Sequence, residues 1–173
     1  MLGMRLVRLI EAHSERLSRG LTEQIRTSDR TSDFRQISAE DLQRATMELY
    51  RHLGEWLLQK TERDIAARFR TIAQRRAAEG IRLHQFVWAL TLSREYLWQF
   101  LQHESFADNV VALHGEMEVQ QLLSQFFDRA LYYATLGYEE AGQVTQKGDL
   151  ERARDLAISI GLASEKRAGL PSL

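Results

Sequence analysis

The side chains with the most chemical potential in this sequence are two arginines on apolar helical stripes. In "LHQFVWALTLSREYLWQFL" the positions Leu83, Val87, Leu90, Arg94, Leu97 and Leu101 keep a heptad phase, and Arg94 stands where a leucine is due. Arg76 follows Ile65, Phe69 and Ile72 in the same manner. A guanidinium on such a stripe needs a counter-charge, because burying an unpaired charge is very costly. It binds an acidic ligand inside a bundle, pairs with a carboxylate on the neighbouring helix, or snorkels outward. Trp98, one turn beyond Arg94, belongs with Trp56, Trp88, Tyr96, Tyr132, Tyr133 and Tyr138 to a set of aromatics that line a small-molecule pocket or simply pack.

Histidine is the other source of chemistry. His13 lies on the apolar stripe of the first helix, where it could ligate haem or titrate near neutral pH; a hydrogen-bonded core histidine is the plainer reading. Glu48 and His52, and likewise His114 and Glu118, lie one turn apart and could face one ion. Neither spacing is the Glu-x-x-His of di-iron bundles, and such pairs arise by chance in a helical chain this charged. Arg94, Arg76, His13 and Trp98 are thus the candidate ligand-binding residues, with no metal site assigned and haem or metal kept as a secondary cofactor reading. No G-x-S-x-G, glycine-rich phosphate loop or H-E-x-x-H occurs in the sequence, so a non-catalytic protein is expected.

Bulk properties narrow the classes further. Lys plus Arg number 23 against 24 Asp plus Glu, without the excess of positive charge that a nucleic-acid footprint needs. The chain has no cysteine, which removes disulfides and thiolate chemistry. No apolar run approaches a membrane span, and Arg5, Arg8 and Glu11 interrupt the N-terminal segment too early for a signal peptide. A cytoplasmic location is expected.

The elements that must position these groups read as helices throughout, with apolar residues every three or four positions and no period-2 run. A first helix over Leu2 to Ile25 ends in "RTSDRTSD", which reads as a solvated loop. Ser38 caps a second helix and Thr61 a third, and sequence alone does not say whether these two are separate. Gly80 closes the third helix and joins it to a fourth, because a left-handed conformation there meets no Cβ clash. After a polar link, Gln102 to Asn109, a long helix carries two adjacent apolar stripes: Val119, Leu122, Phe126, Ala130, Tyr133 and Gly137, and Leu123, Phe127, Leu131, Ala134 and Tyr138. Two stripes exceed what a simple surface helix needs, so this helix is either central to the bundle or shared with a second subunit, and in the second case Leu123, Phe127, Leu131 and Tyr138 are the expected homodimer interface. The expected architecture is an all-α single-domain bundle of about five to six helices over residues 1–145. Residues 146–173, punctuated by Gly148, Gly161, Gly169 and Pro171, would be a linker or short docking helix.

The stretch "IAARFRTIAQRRAAEGIRLHQFVWALTLSREYLWQFL", with Leu49, Trp56 and the long last helix, resembles the RsbRD N-terminal domain family, the sensor-like module of RsbT co-antagonist proteins, over about residues 5 to 140. The resemblance implies an all-α module that receives a signal and passes it through its last helix to an output protein, a kinase or an anti-sigma-type regulator. Nothing after Thr145 is long enough for an output domain, so either a stand-alone version or a fragment is expected, with the output partner open. The first expectation is therefore a cytoplasmic sensory or regulatory domain. A haem- or metal-binding sensor and a structural adaptor are the alternatives.

Overall fold

Gly80 shows how local chemistry sets this fold. Its φ is +80°, the only positive φ among the described residues, which are 2–104 and 110–168 of the computed structural model. The Ile81 N–H donates to the Arg76 carbonyl and the Gly80 N–H to the Ala77 carbonyl, both at 3.0 Å. This pair of bonds satisfies carbonyls that the helix end would otherwise orphan, with Ile81 buried beyond it. The chain then reverses into the next helix.

Among the described residues all regular structure is helical. The elements are α1 (Leu2–Ala12), α2 (Ser14–Thr27), a 3-10 helix (Asp29–Gln36), α3 (Ala39–Arg51), α4 (Leu53–Leu58), α5 (Glu62–Ala78), α6 (Leu83–Glu104) and α7 (Val110–Ala168). The Ser38 hydroxyl accepts from the Asp41 N–H at 3.1 Å, and Thr61 and Asp64 form a reciprocal capping box. That box makes α5 a separate helix. α1 and α2 break at His13, and α3 and α4 at His52, so segments expected as single rods are each two helices.

The larger correction is at "RTSDRTSD". This is not a solvated connection: α2 continues to Thr27, and from Asp29 the chain winds as a 3-10 helix with Thr31 and Phe34 buried. The Thr31 hydroxyl donates to the Ile25 carbonyl, and the Arg26 guanidinium to the Ile37 carbonyl. The two copies of the tetrapeptide therefore do different work, the first ending α2 and the second building the turn.

The chain divides into two compact units, Met1–Tyr138 and Glu139–Leu173. The core of the first collects Ile10, Leu21, Tyr50, Leu53, Ile65, Phe69, Leu97 and Leu101 with the first part of α7. Both stripes of α7 are covered inside the single chain: Val119, Phe126 and Ala130 on one, Leu123, Phe127 and Ala134 on the other, each 2% exposed or less. Phe126 packs edge-on against Phe69 at 5.7 Å and near Trp56 at 6.2 Å. α5 lies so close to α7 that a Cβ on Gly137 would fall 2.7 Å from the Arg70 carbonyl oxygen. The open patch that Leu123 and Phe127 were expected to present does not exist, because the short helices and α5 supply the cover that five or six longer rods would not. Leu131 and Tyr138 are half-buried against the same core.

In the second unit the chain remains helical through Gly148 and Gly161 to Ala168 and is not broken by those glycines. Val144, Leu150, Leu156 and Ile158 are exposed on it. The last five residues, with Gly169 and Pro171, and the 105–109 part of the expected polar link lie outside the described residues. No helix among the described residues is long and apolar enough to cross a membrane.

Candidate functional site

The four residues singled out for ligand chemistry fall at three places. Arg94 and Trp98 come together in a groove of about 300 Å³ between α6 and α7, with Glu95, Gln120, Leu123 and Ser124. Arg94 is about one-third exposed and donates to Asp128 on α7 at 3.3 Å. It thus combines two of the expected fates, pairing with a neighbouring helix and partial snorkelling. Asp128 and Glu95 leave no net positive demand there, so the groove has little to offer an anion.

His13 sits at the α1–α2 break and not within an unbroken helix. Its Nδ1 lies 2.9 Å from the Leu9 carbonyl oxygen, and its ring is 5.6 Å from that of Phe100. This is a packed histidine at a joint. Glu48 and His52 do not face one ion: His52 approaches Glu55 at 3.3 Å, and Glu48 turns toward Arg68. Among the described residues no three His, Asp or Glu side chains gather as ligands.

Arg76 is the best-buried charge of the set, with its side chain 6% exposed. It donates to Glu79 at 2.6 Å, and Arg75 donates to the other oxygen of the same carboxylate at 2.9 Å. The two arginines hold Glu79 below its usual carboxylate range against the opposing effect of burial. This carboxylate lies one turn along α5 from Arg76, on its own helix and not across the bundle.

Arg76 also lines a cleft of about 570 Å³ between α3 and α5. Its floor is apolar and buried: Ile25, Phe34, Leu42, Leu49, Phe69, Phe86, Ala89 and Leu90. The rim is polar, with Glu48 and Thr46 from α3 and Arg68, Thr71 and Arg75 from α5. Volume and an apolar lining with a few polar groups are those of a small-molecule site.

Arg68 is the member of this rim that sequence reasoning missed. Its nearest carboxylate, Glu48, is 4.0 Å away, and its Nε is buried without a hydrogen-bond partner. The guanidinium carbon lies 4.8 Å from the Trp56 ring centroid. Burial disfavours its charged form, with Glu48 opposing. The signal was present in the spacing, since Arg68, Ile72 and Arg75 share one face of α5. What brings Glu48 opposite is tertiary.

Beside the cleft, the 3-10 helix is held to the start of α6. The Asp33 carboxylate accepts from the Arg82 backbone N–H at 3.1 Å, from its Nε at 2.8 Å and from its second guanidinium nitrogen at 3.0 Å. These bonds hold the Asp33 carboxyl at about 2, below the ordinary carboxylate value. The buried Gln85 accepts from the Asp33 N–H at 2.7 Å and donates to the Ser32 hydroxyl at 3.3 Å.

No curated protein and no solved structure matches the chain. The profile of the RsbT co-antagonist protein rsbRD N-terminal domain matches residues 15–153, well over half of the chain, and the protein belongs to that family.

Proposed function

We propose that this is a non-catalytic sensory module of cytoplasmic stress signalling, one that takes up a signal in its first unit and relays it through α7 to an output protein of the kinase or anti-sigma-type class. The observation that carries the reading is the contrast within α7. Val119, Leu123, Phe126, Phe127, Ala130 and Ala134 of this helix are core, so a change in the packing of the first unit reaches it, whereas Val144, Leu150, Leu156 and Ile158 are exposed apolar side chains, as Met117 and Tyr132 are on the first stretch. These four are spread round the helix and draw no single stripe, so what supports a covering partner is their number and exposure on one helix. A second copy of the same helix is the simplest cover, which moves the dimer contact from Leu123 and Phe127 to the second unit. Family membership supports a regulatory role.

Sedimentation equilibrium tests the reading. Wild type should be dimeric at tens of micromolar, and Leu150→Glu with Leu156→Glu should be folded but monomeric, with a melting temperature that no longer depends on protein concentration. Relay adds a second demand. Ile72→Trp, at a residue that lines the cleft of the first unit, should shift the dimer constant by at least about fivefold, the lower end of ordinary coupling energies. A monomeric wild type overturns the dimer, and a dimer constant indifferent to Ile72→Trp overturns relay.

A further inference from the structure

We propose that the α3–α5 cleft binds an amphiphilic monocarboxylate, an acyl or aryl acid, with its apolar body over Phe34, Leu49, Phe69 and Leu90 and its carboxylate at Arg68. The inference rests on the sensory reading and gives its signal a chemical class.

The cleft volume of about 570 Å³ lies within the range of small-molecule sites, roughly 300–1,000 Å³. The apolar floor calls for a ligand that is mostly hydrocarbon.

Charge selects an acid. Three arginines line the cleft against one carboxylate, Glu48. Arg75 and Arg76 are already engaged by Glu79. Arg68 is different, since its ion pair with Glu48 is too long for a hydrogen bond and its Nε donates to nothing. The Nε is occluded, so a ligand in the cleft would meet the terminal guanidinium nitrogens, the nearer of which stands 4.0 Å from Glu48. A carboxylate matches the guanidinium fork better than any neutral head group does. The site is also polar on one side only, because Arg68 and Glu48 stand at the rim while the floor offers hydrocarbon. An inorganic anion would leave that floor wet, and a neutral alcohol would leave Arg68 as it is.

Titration calorimetry and thermal melting with three probes test the inference on the full chain: decanoate below its micelle concentration, decanol, and inorganic phosphate. Decanoate should bind saturably with one site and raise the melting temperature. Decanol should bind at least about tenfold more weakly, and phosphate should have no effect. In Arg68→Gln the acid should fall to the affinity of the alcohol, while Arg68→Lys should retain part of the preference. Ala89→Phe should block both chains by filling the floor; if it does not fold, Ile72→Trp blocks from the rim. Equal affinity for acid and alcohol, wild-type affinity in Arg68→Gln, or no saturable decanoate binding overturns the proposal. The dimer-constant measurement on Ile72→Trp reports on relay without any ligand, so failure of the acid and failure of the sensory reading are separate results.

Discussion

Two arginine–carboxylate contacts of the first unit have opposite characters. At the junction of the 3-10 helix with α6, Arg82 gives three donors to Asp33, and Gln85 closes the remaining bonds to Asp33 and Ser32. At the α3–α5 cleft, Arg68 stands 4.0 Å from Glu48 with an unused donor over an apolar floor. The residue types are the same. The first contact is saturated by its own chain and fixes a joint; the second is left incomplete next to an opening. A saturated polar cluster contributes stability and specifies one geometry, whereas an incomplete one spends some stability on the capacity to recognise something else.

The difference can be broken most severely at Phe34, which belongs to both regions. It is 2% exposed, sits in the 3-10 helix and also forms part of the cleft floor. Phe34→Ala should cost about 3–5 kcal/mol, since a large buried ring is removed next to a void that already exists. Chemical denaturation measures it. A cost below about 1 kcal/mol would mean that the floor is not a packed wall and that the two regions are one loose space.

Gln85 probes the saturated side alone. It is 2% exposed, and its removal leaves the Asp33 N–H without its acceptor. Gln85→Ala should therefore cost about 1–3 kcal/mol, the range for orphaning a buried donor, and should not alter decanoate binding. Loss of ligand binding with unchanged stability would reverse the roles assigned to the two regions.

Acid titration tests the same joint with the sign fixed by Asp33. Its carboxyl is held at about 2 in the fold, against an ordinary value of 3.8. A depressed value favours the folded state at all pH above the ordinary one, and that contribution is lost as pH falls from about 4 towards 2. Wild type should thus be more stable than Asp33→Asn at pH 7, and the gap should close across that acid window. A gap that persists unchanged at pH 2 would place the effect in shape and not in charge.

How much of this was legible beforehand divides along the same line. Contacts set by the chain's immediate neighbours were readable: Ser38 and Thr61 as caps, Gly80 as a left-handed helix end, and the 3.6-residue period of α5 and α6. The need of Arg94 for a carboxylate was readable too, though its partner Asp128 was not. The break at His13 has no glycine or proline beside it, and Gly54, two residues past the break at His52, lies inside α4 and not at the break. The 3-10 helix was hidden because Ser, Thr and Asp favour turns of any kind, and only Phe34 and Thr31 finding buried places decides which. The double stripe of α7 was seen, but its cover comes from helices whose number and breaks were not. Arg68 and Glu48 belong to this second group: each sits on an ordinary charged helix face, and only their approach across the cleft gives either one meaning.

Arg68 also gives the smallest expected effect and the most discriminating one. A partly buried cation that lacks a hydrogen-bonded partner gains little from the fold, because desolvation offsets its attraction to Glu48. Glu48 is itself 65% exposed, so removing Arg68 strands no buried charge. What Arg68→Leu does lose is the contact with Trp56, and the leucine restores part of that apolar packing. The net change in stability should therefore lie within about 0.5 kcal/mol of zero, as at a surface site. Denaturation midpoints of wild type and Arg68→Leu, measured side by side with their affinity for decanoate, separate the two possible duties of this residue. Unchanged stability with loss of the acid preference fits an arginine kept for recognition. A loss of stability above about 1 kcal/mol would make Arg68 a brace between α3 and α5, and the contrast with the Asp33–Arg82 joint would vanish.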